Sequence, residues 1–175
     1  MYDKSQRLEK LVEMIHFGQQ SRVPVDDLKR AARLSKCDLV TGMVTEFTEL
    51  QGVMGREYAR LDGEKADVCE GIFEQYLPRF AGDILPKTEI GRILSIADKV
   101  DNIVATFSRG KAPTGSQDPF ALRRQALGII NILLRITISL IDFILLLLQI
   151  LSLFLQVSNI ILKFVNLRST SQETT

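Results

Sequence analysis

The sequence predicts an all-α fold in the form of a helical bundle. Apolar residues recur at the three- and four-residue spacings of a helix over residues 3 to 107, and residues that start or stop helices bracket these stretches. The alternating pattern of strands is weak throughout. A length of 175 residues with 46% apolar content is enough for one core, and the net charge of +1 does not by itself indicate nucleic acid.

Two amphipathic helices are predicted at the start of the chain. The first runs from Asp3 to Phe17, with one apolar face formed by Leu8, Leu11, Val12 and Ile15. Gly18 closes it, and Val23-Pro24 opens the second, whose early aspartates favour the positive helix start. We expect the inward face of the second helix to consist of Leu28, Ala31, Ala32, Leu39 and Met43.

A third helix is predicted over roughly Thr48 to Leu61, with two glycines in its interior. Its inward residues would be Leu50, Val53, Met54 and Tyr58. Each interior glycine costs about 1 kcal/mol relative to alanine. Gly52 and Gly55 therefore indicate that another backbone passes close to this helix, either a packed helix or, less expected, a nucleic acid.

Two further helices follow. After Asp62-Gly63, the fourth carries an apolar stripe formed by Cys69, Ile72, Phe73, Tyr76 and Leu77. A loop from Pro78 to Lys87 leads to the fifth, which Thr88 can cap and Gly110 ends. Its predicted core face is Ile90, Ile93, Leu94, Ala97, Val100, Val104 and Phe107.

The stretch from Pro113 to Arg124 couples a rigid turn to a charged helix start. Thr114, Gly115 and Ser116 supply the loop. A residue before proline is pushed out of the α region, so Asp118 is expected to be the N-cap and Pro119 the first helical residue. Arg123 and Arg124 then lie one turn inside the new helix.

The C-terminal part differs in composition. Residues 125 to 175 carry five charges, whereas residues 1 to 124 carry 19 basic and 19 acidic side chains. Residues 143 to 162 lack charge over a length that could span a membrane, but five of these 20 residues are polar and no dense basic segment flanks them. A buried helical pair or a partner-facing surface is favoured over a membrane span.

We predict three parts of the chain: a domain over 1–127, an apolar helical segment over 128–168, and a disordered tail over 169–175. The apolar segment would pack on the domain, on a partner or on a second copy.

Five strings of the sequence resemble, in this order, the β subunit of the bacterial two-subunit glycyl-tRNA synthetase. They are Thr48 to Ala59, Tyr76 to Asp83, Leu85 to Arg92, Leu94 to Asp101 and Pro113 to Arg124. The resemblance implies a subunit several times longer, of which this chain would be a fragment forming an internal helical region similar to HD domains. After about residue 128 the sequence departs from the family, which usually has a basic residue where Asn131 stands.

The resemblance also implies what surrounds the chain. Its partners would be glycine tRNA, the α subunit and the rest of the β subunit. ATP, glycine and Mg²⁺ would be handled by the α subunit, so no cofactor is expected in this chain, and the fragment alone should not charge tRNA.

The sequence also predicts where the protein is located. Only two cysteines occur and no secretion leader follows Met1, which favours a location in the reducing cytoplasm.

The HD-like shape raises an alternative, a metal-dependent phosphohydrolase. By resemblance, Asp98 and Asp38 stand where such enzymes place two metal-binding aspartates, but Cys37 stands where the paired histidine is required. The one histidine, His16, lies far away in sequence, and such a metal site needs two or three imidazoles. We therefore predict a degenerate hydrolase fold without catalysis. Asp98 and Asp101 share a helix face and could bind a metal cation, but they are expected to pair with Lys99, Arg92 or an N-terminal helix amide instead.

Eight basic residues in or beside these strings are candidates for weak, salt-sensitive tRNA binding. They are Arg56, Arg60, Arg79, Lys87, Arg109, Lys111, Arg123 and Arg124. The last three flank the helix start at Asp118, where amides could face a phosphate. Ordinary solvated faces paired with acidic residues are an equally good explanation. The sequence contains neither a nucleophile elbow nor a Gly-Lys-Ser/Thr phosphate loop.

Overall fold

The computed structural model describes residues 2–19, 21–111, 113, 117–137 and 141. The chain divides into two compact units, Met1–Leu133 and Leu134–Thr175. In the described part of the first unit the regular structure is helical and contains no β-strand, which confirms the all-α class. The described residues of the second unit, 134–137 and 141, are helical as well. The predicted boundaries at 127 and 168 stay predictions.

Six α-helices with complete bounds lie among the described residues. They are α1 (Tyr2–Gln19), α2 (Val25–Leu34), α3 (Gly42–Glu46), α4 (Val53–Leu61), α5 (Ala66–Glu74) and α6 (Glu89–Phe107). Two short 3₁₀ turns, Asp38–Val40 and Thr48–Leu50, flank α3. Residues 122–133 of the first unit are also helical.

The core lies among α1, α2, α5 and α6, with one residue from α4. Its buried apolar residues are Leu8, Val12, Leu28, Ala31, Ala32, Ala59, Val68, Cys69, Ile72, Ile90, Ile93, Leu94 and Ala97. The central part of each predicted apolar face is thus confirmed for α1, α2, α5 and α6. Gly71 lets α5 approach α6, because a methyl group at this position would meet the side chain of Ile90.

The predicted core face of α6 is wrong at its C-terminal end. Val104 and Phe107 are exposed, whereas burial along the helix continues only to Asp101. Ion pairs between Asp101 and α1 close that interface, so the last turns of α6 extend past the α1 contact.

The predicted extension of the second helix is also wrong. α2 ends at Leu34, and the 3₁₀ turn Asp38–Val40 changes the direction of the chain. Leu39 is therefore only half-buried and Met43 is exposed, because neither residue continues the face of α2.

The predicted third helix is in fact interrupted. Gly52 has a φ of 81° and stands between the turn Thr48–Leu50 and α4, so it caps α4 instead of lying inside a helix. Its amide donates a 2.6 Å hydrogen bond to a carboxylate oxygen of Asp38, which fixes the break. Gly55 does lie inside α4, packed against Ile72 and Asp38. The buried residues of α4 are Gly55 and Ala59, and the predicted inward residues Leu50, Val53, Met54 and Tyr58 are half-buried.

Both predicted caps make the expected kind of contact, but one helix begins later than predicted. The hydroxyl of Thr88 accepts a 3.0 Å hydrogen bond from the Gly91 amide at the start of α6. Asp118 accepts hydrogen bonds from the amides of Leu122 and Arg123, at 2.8 and 2.9 Å. The helix therefore starts at residue 122 and not at Pro119, because residues 119–121 form a turn before it.

Several predicted features lie outside the described residues. These are the loop residues Thr114, Gly115 and Ser116, the uncharged segment 143–162, most of 128–168, and the tail 169–175. Within the described ranges, no helix has both the length and the apolar character needed to cross a membrane.

Candidate functional site

A buried ion-pair cluster lies where α1 packs on α6. Asp98, only 6% exposed, forms ion pairs with the ammonium of Lys4 at 2.9 Å on one oxygen and with that of Lys36 at 3.1 Å on the other. Asp101 binds Lys4 at 3.1 Å and Arg7 at 2.6 Å. Both aspartates of this helix face are therefore neutralised by cations from other parts of the chain.

The charges of this cluster depend on one another. Burial alone would raise the pKa of Asp98, but the attraction of Lys36 and Lys4 outweighs it and holds that pKa below its ordinary value. Burial lowers the pKa of Lys36, whose ammonium also lies 4.4 Å from the centroid of the Tyr76 ring. Asp98 is thus kept ionised by lysine ammonium groups.

The predicted pairing partners of Asp98 and Asp101 are wrong. Arg92 donates to the Lys87 carbonyl oxygen at the other end of α6. Lys99 turns toward the chain after α5, where it donates to the carbonyl oxygen of Leu77 at 2.8 Å and to the hydroxyl of Ser95 at 2.7 Å. Burial lowers the pKa of Lys99 to about 8. The actual partners come from α1 and from the end of α2, a long-range contact that local spacing does not indicate.

Asp38, Cys37 and His16 do not assemble with Asp98 into a set of metal ligands. Asp38 is buried and one of its oxygens is committed to the Gly52 amide. Cys37 is exposed, and its neighbour Lys36 occupies the interior. His16 is a half-buried residue near the end of α1, in edge contact with Phe17. Among the residues that the structure describes, no group of three or more His, Cys, Asp or Glu side chains could hold a metal ion.

An open cleft of about 770 Å³ lies beside the cluster. Its wall contains the buried cations Lys36 and Lys99 and the half-buried Lys4, and residues of the loop after α5 and of the 122–133 helix complete it. Of the residues that the structure describes, five basic side chains line the cleft, namely Lys4, Lys36, Arg79, Lys99 and Arg124, against two acidic ones, Glu49 and Asp98. The cleft therefore carries an excess of positive charge.

A smaller groove of about 300 Å³ adjoins this cleft, since Lys4 and Asn102 line both. It contributes Arg7, Arg109 and Lys111 as further cations and Asp101 as a further acid. We call the cleft and the groove together the basic face. Its cations are Lys4, Arg7, Lys36, Arg79, Lys99, Arg109, Lys111 and Arg124, and its acids are Glu49, Asp98 and Asp101.

The structure brings together half of the predicted tRNA-binding candidates. Arg79, Arg109, Lys111 and Arg124 lie on the basic face, whereas Lys87 and Arg123 do not line it. Of these four, Arg79 is paired with Asp83 at 2.9 Å. Arg56 pairs with Glu57 and Glu70, and Arg60 pairs with Glu57 at 2.8 Å, so these two arginines belong to a locally neutralised surface.

Sequence reasoning missed Lys4, Arg7, Lys36 and Lys99. One signal was available for Lys36, because it directly precedes the Cys37-Asp38 pair that already marked an altered site. The other three residues are recognisable only once α1 is packed against α6.

The chain was compared with known proteins. The family model described as glycyl-tRNA synthetase beta subunit matches residues 1–174. It therefore extends past residue 128, where we expected the sequence to depart from the family, although the pairwise alignments below cover at most 77% of this chain.

The glycine–tRNA ligase beta subunit of Halothermothrix orenii is 60% identical over 137 residues, covering 77% of this chain and 20% of that protein. The Clostridioides difficile protein of the same name is 62% identical over 134 residues, with the same two coverages. The Acinetobacter baumannii protein is 48% identical over 134 residues, covering 77% of this chain and 19% of its own length. The chain thus spans about a fifth of the length of these relatives. On this evidence the chain belongs to the glycyl-tRNA synthetase β-subunit family.

Proposed function

We propose that the chain is a non-catalytic helical module of a glycyl-tRNA synthetase β subunit, which supports tRNA binding and subunit assembly. Its partners in this proposal are glycine tRNA, the α subunit and the rest of the β subunit. Glycine activation with ATP and Mg²⁺ belongs to the α subunit, and this chain works in the cytoplasm without a cofactor of its own. Membership of the β-subunit family supports the proposal that this chain is part of that subunit, and the basic face supports the proposed tRNA binding.

The basic face is the observation that carries the tRNA proposal. Phosphate contacts from arginine and lysine supply most of the sequence-independent affinity for nucleic acid. Arg109, Lys111 and Arg124 have exposed side chains that can reach a backbone phosphate. Lys4, Lys36 and Lys99 lie deeper and add to the positive potential behind them.

The test is to titrate the chain with a glycine tRNA transcript at low salt and to compare two variants. The first changes Arg109, Lys111 and Arg124 to glutamine, and we expect its affinity for the tRNA to be lower than that of the wild type by a factor of about ten or more. The second changes Arg56 and Arg60 to glutamine and should bind like the wild type, because both arginines are already paired with glutamates. Equal affinity of the first variant and the wild type would exclude the basic face as the tRNA contact.

The non-catalytic part of the proposal rests on how Asp98 is held. In an HD-like hydrolase this carboxylate would bind a metal ion that activates water. Here both of its oxygens bind lysine ammonium groups, which supply positive charge but no open coordination position for water. The residues present therefore do not fit such a metal centre.

Incubation with Mn²⁺ or Ni²⁺ and a generic phosphoester should give no turnover that depends on Asp38 or Asp98. Turnover that is abolished by changing either aspartate would establish the hydrolase instead.

A further inference from the structure

We propose that the cleft beside Asp98 binds a single unpaired nucleotide, with its base against Phe80 and its phosphate at Arg124. This inference rests on the tRNA binding proposed above, and it adds which chemical unit of the RNA enters the protein. The basic face as a whole would follow the RNA backbone, while the cleft would take one nucleotide out of its stack.

The dimensions of the cleft favour a nucleotide over a bare ion. Its volume of about 770 Å³ lies within the range of about 300 to 1,000 Å³ that is usual for small-molecule sites. A double helix cannot enter a concave site of that size, so a base inside it must be unpaired and unstacked.

The charge of the cleft favours an anion. Lys99 is nearly buried and its ammonium donates to the neutral oxygens of Leu77, Ser95 and Gln75. Among the described residues it has no carboxylate within 4.0 Å, in contrast to Lys4 and Lys36, which share Asp98. A buried cation without a direct counter-ion is stabilised by an anion that enters the same cleft. Arg124, exposed at the rim, lies where an incoming phosphate would first meet the protein.

The aromatic ring at the rim is held in position by its own loop. Phe80 is 55% exposed, and the adjacent Arg79 binds Asp83 through its side chain at 2.9 Å and through its backbone amide at 2.8 Å. The hydrogen bond from Arg79 is the main cause that lowers the pKa of Asp83 to about 2. An exposed aromatic ring on an ordered loop, next to arginine, is the arrangement on which unpaired bases stack.

Gln75, one of the residues that line the cleft, has a buried side-chain oxygen that none of the described residues satisfies. Gln75 is fully buried and donates its amide protons to the carbonyl oxygens of Ser35 and Ile72. Its side-chain oxygen accepts no hydrogen bond from the part of the chain that the structure describes. A base amino group or a ribose hydroxyl, directly or through one water molecule, would satisfy that oxygen.

A second large cavity does not compete for this role. It lies between α1 and α2 and has a volume of about 800 Å³. Both of its acidic side chains are paired, Glu9 with Arg33 at 2.9 Å and Glu13 with Lys29 at 2.6 Å, and Lys36 pairs with Asp98. Among the described residues this leaves Lys10 as its one cation without an ion pair, whereas the cleft beside Asp98 has both Lys99 and Arg124.

The test is to titrate the 175-residue chain with the four nucleoside 5′-monophosphates, with adenosine and with inorganic phosphate, and to follow binding by NMR shifts and calorimetry. We expect at least one monophosphate to bind saturably, about fivefold or more tighter than adenosine or phosphate. Phe80→Ala and Arg124→Gln should each weaken that binding about fivefold. Both replaced side chains are exposed, so the fold is retained, and Arg22→Gln, an exposed arginine outside the cleft, serves as the matched control.

Each other outcome is informative. Phosphate binding as tight as that of every monophosphate would reduce the cleft to an anion site and overturn the inference. Absence of saturable binding, or binding unaffected by both variants, would overturn it too. If the wild type binds tRNA but no monophosphate, only this inference fails. If it binds a monophosphate but not tRNA, the nucleotide site stands and the tRNA function fails.

Discussion

At the scale of single residues, Lys36 shows how one side chain determines what a buried carboxylate can do. It stands beside the position where the resemblance requires a histidine, and it directs an ammonium group at Asp98 while Cys37 faces solvent. A protonated amine has no lone pair for a metal ion, so it compensates the negative charge without creating a Lewis-acid site. One lysine is therefore enough to explain the proposed loss of metal chemistry at Asp98.

Replacing Lys36 by methionine should destabilise the protein. Asp98 would keep Lys4 as its one cation while remaining buried, and breaking a buried pair costs about 3 kcal/mol or more when the other charge is left unpaired. We expect a loss of about 2 kcal/mol in the free energy of unfolding in urea at pH 7, because Lys4 remains. The matched control is Lys29→Met, whose pair with Glu13 is half-buried and should contribute at most about 1 kcal/mol. Equal losses in the two variants would show that the Asp98 pair is not special.

Lys99 makes a prediction about alkaline pH. Its pKa is about 8 in the folded protein and near 10.4 in an unfolded chain. Between these values the unfolded chain binds a proton that the folded chain does not, so raising the pH stabilises the folded state. The free energy of unfolding should therefore rise with pH from about 8 to about 10.4, by on the order of 3 kcal/mol from this residue.

The check is a series of urea unfolding curves for the wild type and Lys99→Met across that interval. The variant also loses its hydrogen bonds to Leu77 and Ser95, which changes its absolute stability at every pH. The decisive quantity is the slope with pH. The variant should lack the Lys99 part of the rise, and identical slopes would mean that Lys99 titrates normally.

At the scale of elements, the break before α4 is the point where local sequence and structure differ most. The apolar spacing from Thr48 to Leu61 fits one helix, but Asp38 accepts the Gly52 amide from 14 residues away. No local pattern contains that contact, so the helix was predicted too long. The predictions for α1, α5 and the first part of α6 agree with the structure because their buried faces follow the helical spacing of neighbouring residues, and at α6 the Thr88 cap is local as well.

Gly52→Ala should be much more harmful than Gly63→Ala. Both glycines have a φ of 81°, which strains alanine, and Gly52 also has a ψ of −40°, outside the left-handed helical region, so the backbone strain of its alanine is about 1 to 3 kcal/mol. A methyl group at Gly63 would meet nothing within 4 Å, whereas at Gly52 it would lie 2.6 Å from the Tyr76 ring. We expect Gly52→Ala to lose a further 1 to 3 kcal/mol, roughly, in chemical unfolding. If the two variants lost the same stability, the ring contact would be unimportant.

At the scale of the whole molecule, the near-zero net charge conceals an uneven distribution. The α2 side carries matched pairs, such as Arg30 with Glu64 and Lys65 with Asp27. In the described part of the chain, the basic face is lined by eight cations against three acids, and one of these cations, Arg79, pairs with Asp83 beside it. A charge distribution of this kind orients a polyanion toward one face, which a count over the sequence cannot show.

The candidate site was predictable only where its contacts are local in sequence. Arg60 lies three residues after Glu57, so their pairing could have been predicted from the spacing. Arg109 and Lys111 join Arg7 only because α1 packs along α6, far away in sequence. The resemblance indicated the correct family and half of the basic face, while tertiary packing decided which cations face outward together.

The most direct test of this account is the salt dependence of tRNA binding. The logarithm of the dissociation constant is measured against the logarithm of salt concentration for the wild type, for the variant with Arg109, Lys111 and Arg124 changed to glutamine, and for the Arg56/Arg60 control. Each lost phosphate contact lowers the slope by about one. The account predicts a slope reduced by about two to three in the triple variant and unchanged in the control. A slope equal to that of the wild type in the triple variant would contradict a tRNA-binding role for the basic face.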